Sequence, residues 1–142
     1  MATIEQLLDS KGHEIYSISP DDSVYLAIER MSGKGVGALV VLEDGRLVGM
    51  VSERDYARKV ILQGRSSRQT RVGDIMTTDV ICVRPTSSVD ECMALLTEKR
   101  IRHLPVLQGG KLKGIVSIGD LVKETLSEKD FTIRQLQSYI CS

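Results

Sequence analysis

The chain has 142 residues, 42% hydrophobic and 27% charged, with 19 basic against 19 acidic side chains and so no formal net charge. That composition fits a soluble globular protein and excludes disordered, fibrous and coiled-coil classes. The charge balance supplies no general attraction to nucleic acid or to an anionic membrane. No apolar run approaches the roughly 20 residues of a membrane span, and the first residues lack the basic and apolar regions of a signal peptide, so the expected location is cytoplasmic. Cys82, Cys92 and Cys141 are an odd set at spacings of neither a zinc site nor a redox pair, and are expected to be reduced packing residues with no metal.

In chain order, Thr3 to Ser10 predicts a short helix with Thr3 and Gln6 as a capping box. Pro20 to Ser23 supplies turn and N-cap chemistry, and Val24, Ala27, Ile28 and Met31 form an apolar stripe on a helix ending near Gly33. The runs 38–42 and 47–51, joined at Gly45, predict a hairpin. A second helix is expected from Ser52, carrying Tyr56, Ala57, Val60 and Ile61 on one face and stopping at Gly64. The polar segment 65–71 is then a short, flexible linker.

Beyond it the pattern recurs. Residues 17–55 lie on residues 82–120 without a gap, an internal offset of 65 that repeats Pro20 as Pro85, Ser23-Val24 as Ser88-Val89, and Gly49, Ser52 and Asp55 as Gly114, Ser117 and Asp120. The second copy has Val89, Met93 and Leu96 on its first helix, strands 104–107 and 112–116 about Gly109-Gly110, and a helix over 121–126. The expected fold class is α/β (α+β), with two tandem β-α-β-β-α repeats related by a pseudo-twofold axis. A single copy of about 55 residues would bury only about 60% of its surface, so the two are expected to share one body. The predicted divisions are 10–70, 74–130 and a C-terminal amphipathic helix or tail over 131–142, on Phe131, Ile133, Leu136 and Ile140.

The duplicated pattern, with Gly49 to Asp55 and Gly114 to Asp120 in register and Arg102-His-Leu-Pro-Val106 on a strand, resembles the CBS-domain pair, or Bateman module, over roughly residues 10 to 128. The likeness is closest to small stand-alone bacterial CBS proteins. It implies two clefts for adenosine ligands (AMP, ADP, ATP or NAD), a regulatory role towards a partner, and a homodimer. It further implies that Asp55 and Asp120 hold ribose, that Ser52 and Ser117 lie near ribose or phosphate, and that Val36-Gly37-Ala38 and Ile101-Arg102-His103 face adenine and phosphate.

The residues support part of this without the family. A strand running into a helix at Ser52 or Ser117 places a hydroxyl and backbone N–H groups at the positive end of a helix dipole, and a carboxylate one turn in can accept both hydroxyls of a ribose. Arg54, Arg58, Arg102 and His103 are the candidate phosphate partners. Residues 53–71 hold six basic against two acidic side chains, which also fits a solvated face. Ser-x-x-Asp is equally a capping box, and a carboxylate turned back on its own N-cap is not free to clasp a sugar. Gly37-Ala38 stands where the second copy has Arg102-His103, which predicts one cleft that is roomier and less basic. No nucleophile with a neighbouring base, metal constellation or phosphate-binding loop is present, so catalysis is not expected. A sensor, a structural adaptor with vestigial clefts and, least supported, a nucleic-acid binder on the arginine-rich segment remain open.

Overall fold

The computed structural model describes residues 2–126. The expected tail helix over 131–142 and Cys141 lie outside the described residues. The elements are α1 (Ile4–Lys11), β1 (Ser17–Ile18), α2 (Val24–Lys34), β2 (Ala38–Glu43), β3 (Arg46–Ser52), α3 (Glu53–Tyr56) continued by a π-helical turn (Ala57–Ile61), α4 (Val72–Ile75), α5 (Val89–Lys99), β4 (His103–Gln108), β5 (Lys111–Ser117) and α6 (Ile118–Leu126). The fold is mixed α and β with two copies of one unit.

Side-chain caps start the long helices where the sequence places them. Ser23 Oγ accepts from the amide of Leu26 at 3.1 Å and Ser88 Oγ from that of Glu91 at 3.0 Å, while Thr3 and Gln6 form the reciprocal box on α1. The end of α2 falls near Gly33 as expected: the helix runs to Lys34, and Gly35 at φ 66° turns the chain left-handed. On α5 Val89 and Leu96 are buried as expected, while Cys92 takes the middle of the stripe and Met93 only packs against it.

Each hairpin turns on two residues of positive φ, Asp44 (51°) with Gly45 (77°) and Gly109 (59°) with Gly110 (79°). That pattern matches the right-handed twist of the strands. Their edges are unequal. β1 runs parallel to β2, where the amide of Val40 donates to the carbonyl of Tyr16 at 3.3 Å. The second copy has Pro105 in place of Val40, with no N–H to give. Its leading strand shrinks to a bridge between Val83 and Val106, so the expected β-α-β-β-α unit is complete only in the first copy.

Among the described residues the buried core forms two clusters. One cluster joins Ile18, Val24, Met31, Leu39, Val51 and Val60 with Val72 and Ile75 of α4; the other joins Leu96, Leu104, Val116 and Leu121 with Ile4, Leu7 and Leu8 of α1. The helix ahead of the first copy thus closes the core of the second, and the helix leading into the second closes that of the first. This exchange holds the copies together. Gly49 and Gly114 are its seats: a Cβ on Gly49 would lie 2.7 Å from Met76 Sδ and 2.9 Å from the carbonyl of Thr77, and one on Gly114 would lie 2.8 Å from Leu8 Cδ2. Because a backbone oxygen cannot swing aside, Gly49→Ala is expected to cost about 1–3 kcal/mol in a urea titration, as for an overpacked core.

The segment 65–71 is not a flexible linker. Its carbonyls at Thr70 and Ser67 accept from the first amides of α2, Val24 at 2.8 Å and Tyr25 at 2.9 Å. Those amides have no partner within the helix, so the segment serves as a second cap. Thr70 is buried, and the Arg68 guanidinium lies 3.9 Å from the centre of the Tyr25 ring. The π-helical turn explains a further departure. It widens the helix after Tyr56, with the amide of Leu62 donating to the carbonyl of Ala57 at 3.1 Å, and keeps Val60 in the core while leaving Ile61 and Leu62 exposed.

Candidate functional site

Two cavities open between the copies. The first, of about 320 Å³, has Ser52, Arg54, Asp55 and Arg58 of the first copy on one wall and Ile101, Arg102 and His103 of the second on the other. The second, of about 240 Å³, has Ser117 and Asp120 facing Val36, Gly37 and Ala38. Each cleft therefore pairs the Ser-x-x-Asp turn of one copy with the strand entry of the other, and all twelve candidate residues line one or both. His103 borders both cavities. Lys11, Tyr16, Thr77, Asp79 and Arg100, which sequence reasoning did not select, also line them. Lys11 and Thr77 reach the clefts because the exchanged lead-in helices carry them there.

Both carboxylates are turned inward. Asp55 Oδ2 accepts from the amide of Ser52 at 2.9 Å while the amide of Asp55 donates to Ser52 Oγ at 3.2 Å. Asp120 Oδ2 accepts from the amide of Ser117 at 2.8 Å while its own amide donates to Ser117 Oγ at 3.1 Å. These are capping boxes. The helix starts also offer fewer free donors than expected, since the amide of Glu53 donates to the carbonyl of Gly37 at 3.1 Å and that of Ile118 to the carbonyl of Arg102 at 2.8 Å. Nor do the signature glycines keep the backbone open for a ligand; they seat α1 and the residues after α4.

A lysine grips each carboxylate. Lys59 Nζ lies 3.1 Å from Asp55 Oδ1 and donates to the carbonyl of Ile75 at 2.9 Å. Lys11 Nζ, from α1, lies 2.7 Å from Asp120 Oδ2 and donates to the carbonyl of Ile115 at 2.8 Å. Burial raises the pKa of Asp120, but Lys11 and the Ser117 amide outweigh it and hold the carboxyl below its ordinary value.

The two clefts differ in charge and size, though not as expected. The first carries Arg54, Arg58, Lys59, Arg100 and Arg102 against Glu53, Asp55 and Asp79, and it is the larger. In the second, among the described residues, Lys11 is the lone basic lining residue apart from His103, and the space over Gly37 is taken by Glu53 Oε1 and His103, which a Cβ there would meet at 3.0 and 3.7 Å. The less basic cleft is thus the smaller.

Burial lowers the pKa of His103, with Arg102 and Lys11 acting in the same direction and Asp120 against it. The imidazole is therefore neutral at pH 7. Below its ordinary value of 6.5 the unfolded chain takes up a proton that the folded one refuses, so this group subtracts stability as pH falls. His13, raised by its hydrogen bond to Asp9, works in the opposite sense. The His103→Asn protein is accordingly expected to lose less stability than the unaltered protein between about pH 7.5 and about pH 5.5, read as the difference in urea midpoints.

Two tandem repeats with their special residues around shared clefts define a paired-repeat module. A family model for the CBS domain matches residues 11–61 and 72–127, and the chain belongs to that family. It is 43% identical to the mitochondrial CBS domain-containing protein CBSX3 of Arabidopsis thaliana over 97% of this chain and 71% of the relative. A solved protein with CBS domains from Burkholderia ambifaria MC40-6 superposes with TM-score 0.86 at 54% identity, covering 89% of this chain and 95% of that one. The CBS domain pair of protein MJ0100, solved in complex with 5′-methylthioadenosine and S-adenosyl-L-methionine, has the same fold with TM-score 0.80 at 20% identity, covering 90% of this chain and 98% of that one. Among the described residues no helix is long and apolar enough to cross a membrane.

Proposed function

We propose that the protein is a non-catalytic cytoplasmic sensor that binds an adenosine ligand (AMP, ADP, ATP or NAD) between its repeats and passes occupancy to a partner protein as a change in their relative tilt. The observation that carries this reading is that both cavities are open and walled by both copies, so a ligand contacts the two at once and favours one arrangement over another. Arg54, Arg58 and Arg102 would meet phosphate in the first cleft, and Asp55 and Asp120 would turn from cap to ribose. Thermal unfolding with AMP, ATP and NAD tests it, since a ligand at 100 times its dissociation constant should stabilise by about 2.7 kcal/mol.

The capping boxes favour a second reading, an adaptor with vestigial clefts. Under it no adenosine ligand shifts the melting curve. Either role accommodates a homodimer, in which a second copy covers the exposed Ile61, Leu62 and Ile118 on the helices that follow the hairpins. Monomeric mass in sedimentation at micromolar concentration would count against it.

A further inference from the structure

Resting on the sensor reading, we propose that Lys11 makes the second cleft an ion-exchange site: it releases Asp120 to a ribose only when the ligand brings a phosphate to take its ammonium. Nothing in the Ser-x-x-Asp signature contains this residue. It belongs to α1, which packs on the second copy through Ile4, Leu7 and Leu8 and so holds Lys11 at the cleft wall. Its ammonium spans Asp120 Oδ2 and the carbonyl of Ile115, with the Lys11 side chain 32% exposed and that of Asp120 26%. A nucleoside that claimed the carboxylate for its diol would cost the ammonium its ionic partner and leave it a single protein carbonyl.

A nucleoside monophosphate avoids that loss. The ammonium moves from carboxylate to phosphate, the carboxylate moves to the two hydroxyls, and each charge keeps a partner. Beyond one phosphate the site has little to add, because among the described residues its lining holds no further lysine or arginine, and burial lowers the pKa of His103. The first cleft is built differently. Its aspartate is gripped by Lys59 of its own helix, and Arg54, Arg58 and Arg102 stand on the walls in addition. A chain of phosphates is matched there and not in the second cleft. The two sites thus sort ligands by phosphate number.

Calorimetry with AMP, ATP and adenosine on an Asp55→Ala protein, in which the first cleft is weakened, reads the second cleft. With Lys11 present, AMP is expected to bind about tenfold or more tighter than adenosine, the scale of one hydrogen bond to a charged group, and ATP no tighter than AMP. Adding Lys11→Met should erase the AMP preference by weakening AMP and tightening adenosine, whereas Lys11→Arg keeps it. Lys11→Gln, which replaces the ammonium by an uncharged amide, serves if the methionine protein does not fold. An unchanged ratio of AMP to adenosine affinity in the folded Lys11→Met or Lys11→Gln protein overturns the assignment. Binding to the unaltered protein but not to Asp55→Ala overturns it too while leaving the sensor reading intact. No binding to either protein overturns both.

Discussion

Replacing Leu8 by alanine is expected to destabilise the protein by about 2–5 kcal/mol, the range for emptying a buried leucine site. Leu8 is 1% exposed, packs in the cluster of Leu96, Leu104 and Val116, and meets the open face of Gly114. Those partners lie far along the chain, so the damage should surface there. Hydrogen exchange is expected to quicken first at the amides of β4 and β5 and less at those of β2 and β3. A loss below about 1 kcal/mol would mean that α1 is only laid on the surface, where substitutions fall within about 0.5 kcal/mol.

Asp120→Ala is expected to weaken adenosine-ligand binding by about 1.5–3 kcal/mol, roughly 10- to 150-fold. The same change removes the inner half of a capping box and the partner of Lys11, so a cost to folding of about 0.5–2 kcal/mol accompanies it. The two effects separate by measurement: affinity by calorimetry well below the melting temperature, stability by denaturant midpoint. Unchanged affinity with the fold intact would remove Asp120 from the site and leave it a cap.

Much of this fold is written in short-range pattern. Ser23 and Ser88 announce their helices because a hydroxyl there satisfies an amide three residues on, and Asp44-Gly45 and Gly109-Gly110 announce their hairpins because those turns require positive φ. The duplication itself is visible because the offset runs without a gap. What short-range pattern does not carry is partnership between distant segments. Thr3 and Gln6 mark where α1 begins, yet nothing near them says that the helix covers the other copy, and so Lys11 is invisible as a cleft residue. Segment 65–71 has the composition of a free linker, and only the unpaired amides at the start of α2 give it a place. Pro105, in the place that Val40 holds in the first copy, does carry a readable signal, since a proline in mid-strand forfeits a donor and the neighbouring strand shortens accordingly. The twelve candidate residues do meet at the clefts, but the sequence could not decide the orientation of Asp55 and Asp120, because Ser-x-x-Asp encodes cap and sugar grip in the same four residues.

The crossed placement of α1 and α4 bears on ancestry. A chain with one copy would have a leading helix that does not shut its own interior, and on this placement would pair with a second molecule, each lending its leading arm to the other. Fusing two genes end to end converts that encounter into a tethered one at an effective concentration of about millimolar. Severing the chain near residue 66 should restore the older arrangement, with two fragments that are insoluble apart and reassemble when mixed.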